Sequence, residues 1–260
     1  MTTKKSNKGT KNIFSERRSN NPYAPADSEV HLYGKNERKC DTDSRGYPTP
    51  KNRNPLEIVL DASEGFIPLW NENVTLRWRF SPSLYNFFRY PDDAMDGIRQ
   101  LFAKGLLEWG DAVPIKFSER NDAWDFEIIV KKDNCDHRGC TLASAFFPDG
   151  GRHQLAIYPK MFEQSEQEQI ETMAHELGHV FGLRHFFAEL SESSFPSVKF
   201  GKHEPFTIMN YGNKSKMTEN DRNDLKLLYN KVWNNELNEI NGTRIVTFSP
   251  YHIIGELCQL

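Results

Sequence analysis

One stretch constrains this chain more than any other: residues 175–185 read HELGHVFGLRH. On a helix of 3.6 residues per turn, His175 and His179 lie about 40° apart, so both rings leave the same face. Two imidazoles at that spacing form a chelate for Zn²⁺, which prefers four tetrahedral nitrogen, sulfur or oxygen ligands. Glu176 is rotated about 100° from His175. That rotation places its carboxylate beside the metal, where it can take a proton from a water activated by the ion.

A third imidazole, His185, lies further along the same motif. On a continuing helix it would be about 240° round from His179 and could not reach the same ion. Gly182 offers a place for the helix to stop, because glycine adopts positive φ without a Cβ penalty and lets the chain turn sharply. Three neutral imidazoles would leave the fourth metal position free for water, as in a catalytic site rather than a closed structural one.

The residues around the motif have the pattern of an amphipathic helix. Ser165 to Glu168 is typical of a capping box at a helix start. We therefore expect a helix from about Ser165 to Leu183, with one face in the core. Its apolar stripe at helical spacing comprises Ile170, Met173, Ala174, Leu177, Val180 and Phe181.

The composition excludes several classes of protein. The chain of 260 residues has a formal net charge of −3, which argues against a nucleic-acid binder. It has no apolar run long enough for a membrane-spanning helix. Residues 1–20 are rich in Lys, Arg, Ser and Asn, and no hydrophobic region follows, so they are not typical of a secretory signal peptide. We therefore expect a cytoplasmic or non-classically secreted protein, with neither nucleic-acid nor membrane partners.

Composition and periodicity divide the chain into three parts. Residues 1–52 are polar and rich in Lys, Asn, Ser and Pro, and we expect a mobile or loosely packed segment there. Residues 53–233 contain strand and helix patterns in an order that favours a mixed sheet with helices packed on it, an α+β fold. Residues 234–260 are expected to form an extended C-terminal tail. Strands are predicted at 74–80, 114–118, 124–130, 142–147 and 153–158, and helices at 91–109, 165–183 and 218–232.

The cysteines allow more than one interpretation. Cys135 and Cys140 could close a small disulfide loop, with Gly139 easing the turn. Without an export signal, two reduced thiols are an equal alternative. A second zinc held by these cysteines and His137 is a third interpretation, although the spacing provides few ligands.

The zinc motif, followed by a Met-containing turn at Met209, resembles the metzincin zinc endopeptidases. Among them the chain is most similar to the matrixins. The resemblance covers roughly residues 70–233. It implies a metzincin-like fold: a mixed twisted sheet, an active-site helix, a Met-turn and a C-terminal helix. The segments that resemble matrixin elements in type and order are Leu107–Trp109, Pro114–Phe117, Asp125–Ile129, Leu142–Phe146 and Thr218–Tyr229.

The resemblance implies a role for each residue of the motif. Glu176 would be the general base, and Met209 would form a hydrophobic floor under the zinc site. The strand at Leu142–Ala145 would be the sheet edge that pairs with an extended protein or peptide substrate. The ligands of one catalytic Zn²⁺ would be His175, His179 and His185.

Some positions depart from the matrixin pattern. Ser144 and Ile157 stand where two histidines of the matrixin structural zinc site would be, so we predict no structural zinc. His137 and His153 are accordingly interpreted as ordinary surface histidines. Pro159 stands where a calcium-binding acid is expected, which leaves calcium doubtful.

Two further residues have alternative interpretations. Tyr211 resembles the astacin and serralysin pattern, in which a tyrosine reaches the zinc site and stabilises the transition-state oxyanion. A packed tyrosine with a satisfied hydroxyl is an equal alternative. Cys40 could block the zinc as the pro-segment cysteine of matrixins does, but its flanking residues do not reproduce that motif. An ordinary thiol, or a bridge to Cys258, is therefore favoured.

The sequence thus predicts a zinc-dependent metalloendopeptidase that hydrolyses peptide bonds with zinc-activated water and Glu176 as general base. One alternative is a zinc-containing peptide-binding module without proteolysis. Another is an astacin- or serralysin-like peptidase that uses Tyr211. The sequence contains no readable signal for the substrate preference or for the oligomeric state.

Overall fold

The computed structural model describes residues 11–17, 58–61, 65–136, 139–184, 197–200, 207–209 and 215–257. Some residues singled out above therefore lie outside the described ranges. They are Cys40, His137, His185, Tyr211 and Cys258.

The elements of the described chain are as follows. The strands are β1 (Ile58–Asp61), β2 (Ile67–Trp70), β3 (Thr75–Phe80), β4 (Lys116–Glu119), β5 (Phe126–Val130), β6 (Cys135–Asp136), β7 (Gly139–Cys140), β8 (Ala143–Ser144), β9 (His153–Ile157), β10 (Ser197–Phe200), β11 (Glu239–Ile240) and β12 (Thr243–Phe248). The helices are α1 (Leu84–Phe87), α2 (Pro91–Trp109), α3 (Glu166–Val180), α4 (Glu219–Trp233) and α5 (Tyr251–Leu257), with 3₁₀ turns at Gly110–Ala112 and Pro159–Glu163. No helix in the described ranges is both long and apolar enough to cross a membrane.

A five-stranded sheet with the order β4-β3-β5-β9-β8 lies at the centre of the protein. Strands β4, β3, β5 and β9 are parallel, whereas β8 runs antiparallel to β9 and forms one edge. Along β3, half-buried and buried residues alternate, because successive side chains point to opposite faces. The expected α+β fold with a mixed sheet is confirmed. The strand expected at Leu142–Ala145 is an edge strand, with pairing limited to Ala143–Ser144.

The two long helices begin where the sequence predicts. Helix α2 begins with Pro91, whose fixed φ suits the first helical position. Helix α3 begins after Ser165, whose side chain accepts the Glu168 N–H while the Glu168 carboxylate accepts the Ser165 N–H. This reciprocal capping box satisfies two backbone donors that the helix itself cannot.

Helices α2 and α3 pack closely against each other within one apolar core that they share with the sheet. Gly105 of α2 permits the close approach, because a Cβ there would lie 2.9 Å from Met173 Cγ and 3.1 Å from Ala174 N. Trp109, at the end of α2, is fully buried and donates its indole N–H to Ala174 O at 2.8 Å. Helix α3 is therefore fixed along its length by its neighbour.

Residues 11–17 pack on the body of the protein, in contrast to the mobile or loosely packed segment expected over 1–52. The Phe14 ring stacks on Phe162 with centroids 4.1 Å apart. The Arg89 N–H donates to Ser15 O at 2.9 Å, and Ser15 is buried. The physical reason is that an apolar side chain in a polar stretch finds a groove made by distant residues, which local composition cannot reveal.

Residues 239–257 also correct the sequence expectation, which placed an extended tail over 234–260. Strand β12 pairs in parallel with β2, in register from Ile245 opposite Ile67 to Phe248 opposite Trp70. The apolar residues of β12, Ile245, Val246 and Phe248, are few and do not alternate strictly, so the segment resembles an extended tail until its distant partner strand is known.

Buried hydrogen bonds between His252 and Asp125 join the end of this C-terminal segment to the central sheet. The His252 Nδ1–H donates to Asp125 Oδ2 at 2.8 Å, and the His252 backbone N–H donates to Oδ1 at 2.8 Å. Asp125 Oδ2 also accepts the Arg77 backbone N–H at 2.7 Å. The carboxylate is thus satisfied in the interior, as a buried charge requires.

Cys135 and Cys140 are joined by a disulfide bond that closes the hairpin of β6 and β7. The structure therefore has the first of the three arrangements that the sequence allowed. Because both thiolates are consumed, the interpretation as a second zinc site does not hold for these residues.

Candidate active site

Helix α3 holds the first two histidines of the motif side by side. His175 is 2% exposed and His179 is fully buried. Their ring centroids lie 4.9 Å apart, and the ring planes are nearly perpendicular at 84°. Because four residues are about one helical turn, both rings lie on the same buried face of the helix.

Backbone carbonyls fix the tautomer of both rings. The His175 Nδ1–H donates to Ile208 O at 2.8 Å, and the His179 Nδ1–H donates to Leu183 O at 2.7 Å. Because a carbonyl oxygen can only accept, each Nδ1 carries a proton, and in a neutral ring the lone pair is then on Nε2. Metal-binding histidines in proteins have this arrangement. The donor set therefore fits Zn²⁺ bound through Nε2 of two neutral imidazoles.

Helix α3 ends at Val180, and Gly182 just beyond it has a φ of +94°. The Gly182 N–H donates to His179 O at 2.8 Å, and the Leu183 N–H donates to Gly178 O at 2.9 Å. These two bonds define a Schellman motif with glycine in the left-handed position. The sharp turn expected at Gly182 is present, and His185, the third expected ligand, lies just outside the described residues.

Glu176, the expected general base, lies between the two histidines in the sequence and is fully buried. A carboxylate is costly to bury unless positive charge lies near it. A dication held by the neighbouring imidazoles would offset that cost, which is consistent with the donor set. In the described ranges, no three His, Cys, Asp or Glu side chains are grouped to hold a metal, so the described part of the site contributes two of the expected zinc ligands.

Met209 packs directly beneath α3. Its side chain is 4% exposed. A Cβ on Gly178 would overlap the Met209 sulfur and lie 3.1 Å from its Cε. Glycine at position 178 therefore allows the helix that carries the histidines to lie directly against Met209.

Asp221 holds the turn that contains Met209, a role that sequence reasoning missed. Its Oδ2 accepts the Ile208 N–H at 3.3 Å and the Thr218 N–H at 2.9 Å. Ile208 O in turn accepts a hydrogen bond from the His175 ring. Asp221 is therefore linked to the candidate zinc site through the backbone of Ile208. The available signal was the capping box at the start of α4, which indicates a helix start but not this second contact.

Replacing Asp221 with asparagine is expected to change the pH dependence of stability. Burial raises the pKa of Asp221 above its usual 3.8, while hydrogen bonds from Thr218 and Ile208 oppose the shift. Between 3.8 and the raised value, the folded protein binds more protons than the unfolded chain, so this carboxyl destabilises the fold as pH rises. The wild-type free energy of unfolding, minus that of Asp221→Asn, should therefore increase on acidification.

Urea unfolding of the metal-free protein at a series of pH values measures this difference without titration of bound metal. If the stability difference between wild type and Asp221→Asn stays constant, or decreases as the pH falls, the pKa of Asp221 is not raised in the folded protein.

Phe147 is a second residue near the site that sequence reasoning did not identify. Its ring meets the His179 ring edge-on, with centroids 5.6 Å apart and planes at 85°. It lies in the loop between β8, the edge strand, and β9. Only the folded chain shows that this loop returns to α3.

The positions that depart from the matrixin pattern have defined surroundings. Ile157 is fully buried and pairs with Ala143 across the edge of the sheet. His153 is half-buried rather than on the surface: its ring stacks on Phe146 at 4.3 Å, and its Nε2 lies 2.8 Å from the Asp149 carboxylate. The expectation of an ordinary surface histidine is therefore corrected for His153, because β9 brings it beneath the loop after β8.

The proteins to which this chain is similar include metallopeptidases, in agreement with the donor set of the candidate site. A family model described as Reprolysin_5, Metallo-peptidase family M12, matches residues 98–221. Metalloendoproteinase 4-MMP of Arabidopsis thaliana is 28% identical over 149 residues, 51% of this chain and 42% of that protein. Human stromelysin-3 is 29% identical over 122 residues, 42% of this chain and 25% of that protein. The matches thus span less than half the length of these curated relatives.

Among solved structures, high choriolytic enzyme 1, a hatching-enzyme zinc-protease from Oryzias latipes, is 14% identical. The alignment covers 75% of this chain and 99% of that chain, with a TM-score of 0.38. A TM-score at that level supports no conclusion about function.

Residues 98–221 are thus similar to metallopeptidases of family M12, and the histidine helix with its glycine turn is consistent with that similarity. The curated relatives to which the chain is similar include a plant metalloendoproteinase and human stromelysin-3.

Proposed function

We propose that the protein is a zinc-dependent metalloendopeptidase. The observation that carries the proposal is the pair of adjacent imidazoles on α3, each with its Nδ1–H on a backbone carbonyl, which is the tautomer in which a neutral ring binds a metal through Nε2. The buried carboxylate of Glu176 lies next to them in sequence, as a proton acceptor for hydrolysis should. The similarity of residues 98–221 to metallopeptidases supports the same reaction class.

The metal would be held by His175 and His179, with His185 as the third ligand beyond the Gly182 turn. When bound, a zinc ion supplies Lewis acidity, which lowers the pKa of water from about 16 towards 7 and polarises a carbonyl. Ser144 and Ile157, at the positions of the matrixin structural site, provide no imidazole. We therefore propose one catalytic ion and no structural zinc.

Glu176 would perform the proton transfers. Its carboxylate accepts the proton of the attacking water and later delivers it to the leaving amine. Burial of this side chain excludes bulk water, which strengthens its electrostatic interactions with the reacting groups. Tyr211 is proposed as a donor to the developing oxyanion.

The substrate would be a protein or peptide in extended conformation. Strand β8 forms an edge of the central sheet and can pair with a further strand through its outward backbone groups. Phe147, which follows β8 and touches His179, would then flank the peptide close to the scissile bond. Main-chain pairing along β8 would align the peptide with the two histidines.

Metal analysis combined with a proteolysis assay tests the proposal. We expect about one zinc per chain, as for a site with three protein ligands. Cleavage of a denatured protein substrate should stop when a chelator removes the zinc and resume when zinc is restored. The variant His179→Ala should lose both zinc and cleavage, whereas the control His153→Ala, at a histidine outside the site, should keep both.

A protein without zinc would contradict the proposal. Stoichiometric zinc without cleavage of any unfolded substrate would instead favour the alternative of a peptide-binding module.

A further inference from the structure

The last carbonyl groups of α3 need hydrogen-bond donors from beyond the helix, because the final turn of a helix has no following amides. Backbone amides of the turn satisfy Gly178 O and His179 O. The next two carbonyls are satisfied by side chains instead: the Trp70 indole N–H donates to Val180 O at 2.7 Å, and the Tyr229 hydroxyl donates to Phe181 O at 3.0 Å. Side chains from two distant elements, β2 and α4, thus satisfy the carbonyl groups at the end of α3.

This turn determines the orientation of a zinc ligand. Leu183 O, at the end of the turn, accepts the Nδ1–H of His179 at 2.7 Å. A shift of the turn would move this carbonyl and with it the imidazole plane. The same shift would move the chain that leads to His185, since only Arg184 separates His185 from Leu183.

Both donors are rigidly held. Trp70 and Tyr229 are each 1% exposed. The Tyr229 oxygen also accepts the Trp70 backbone N–H at 3.4 Å, so one hydroxyl bridges β2 and the helix end. Burial raises the pKa of Tyr229, so the phenol keeps the proton that it donates.

The C-terminal segment in turn supports Trp70. Strand β12 pairs with β2 through Phe248 opposite Trp70, and the Asn71 N–H donates to Phe248 O at 3.0 Å. From α4, the Trp233 indole N–H donates to Trp70 O at 3.0 Å. Trp70 therefore has its backbone fixed on both sides while its indole reaches Val180 O.

We propose that Trp70 and Tyr229 are positioning residues for the zinc ligands: they fix the turn at 181–183 and, through Leu183 O, the orientation of His179. Both lie outside the segment that matches the metallopeptidase family model. The proposal depends on the proposed zinc function, and it assigns part of the zinc affinity to side chains that do not touch the metal.

The variant Tyr229→Phe tests the proposal with the loss of a single oxygen atom. It should raise the Kd for zinc about tenfold, the lower end of the effect of outer partners of metal ligands. The Kd is measured by competition with a chelator. In the metal-free protein, the amides of Gly182 and Leu183 should exchange with solvent faster than in the wild type, because the turn loses an anchor. Trp70→Phe should show the same two changes.

Trp78→Phe is the matched control for general destabilisation. Trp78 is a buried tryptophan of β3 whose ring packs against Phe80, Phe102 and Phe126. This variant should lower the melting temperature while the zinc Kd and the exchange of Gly182 and Leu183 stay near wild type. An unchanged zinc Kd in Tyr229→Phe would overturn the proposal, as would an equal change in Trp78→Phe. Wild-type protein that binds no zinc would overturn the proposed function, and amide exchange would still report on the turn.

Discussion

Replacing Glu176 with glutamine is expected to slow peptide cleavage by about 10²–10⁴-fold, the usual contribution of a general acid–base group. The amide has nearly the shape of the carboxylate, but it cannot accept the proton of the attacking water or return it to the leaving amine. Because Glu176 is not an expected zinc ligand, the zinc content should not change. Cleavage of a denatured protein substrate and metal analysis of the same sample measure both quantities.

Glu171→Gln is the matched control on the same helix. Glu171 is half-buried, and its carboxylate accepts a hydrogen bond from the Gln167 side chain at 3.1 Å. The same loss of charge at that position should leave cleavage near the wild-type rate. Wild-type turnover in Glu176→Gln would remove Glu176 from the mechanism. Loss of zinc together with cleavage would show that it supports the metal site instead.

Replacing Gly182 with alanine is expected to weaken zinc binding by about tenfold or more. A non-glycine residue in the left-handed region costs about 1–2 kcal/mol. The new Cβ would also lie 2.9 Å from Pro68 O and 3.1 Å from Leu69 Cδ2. Because Pro68 O belongs to the backbone of β2, it cannot move aside easily. The turn would shift instead, together with the Leu183 carbonyl that orients His179.

Gly110→Ala separates crowding from backbone strain. Gly110 has a φ of +57° at the end of α2, and a Cβ there would meet no atom within 4 Å. This variant should lose some stability for the same backbone reason but keep its zinc affinity. Thermal unfolding and chelator competition, applied to both variants, give the two quantities. Equal losses of zinc affinity in Gly182→Ala and Gly110→Ala would show that crowding against β2 is not the cause of the weaker zinc binding.

The part of the site that is local in sequence was predictable. The spacing of His175 and His179 places both on one helix face, and Ser165 predicts where that helix begins. Gly182 predicts where it ends. Each inference depends on helix geometry over fewer than two turns, so no knowledge of distant contacts was needed.

The partners of the site could not be predicted in this way. Three residues from different parts of the chain support the site. Ile208 O orients His175, Phe147 packs on His179, and Asp221 holds the turn that contains Met209. Nothing in their local patterns distinguishes them from ordinary loop or cap residues. The fold was predictable for long periodic elements such as α2 and α3, and less so for β12, whose partner strand lies near the other end of the described chain.

The sequence by itself therefore predicted the candidate chemistry, namely which side chains would bind a metal and which carboxylate would move a proton, and it determined where the supporting helix starts and stops. These features follow from residue type and helical spacing, which are local. The tertiary structure alone decided how the site is held. The tautomers of both histidines and the anchoring of the helix end by Trp70 and Tyr229 depend on hydrogen bonds between residues far apart in the sequence, and such bonds exist only once the sheet and helices have packed.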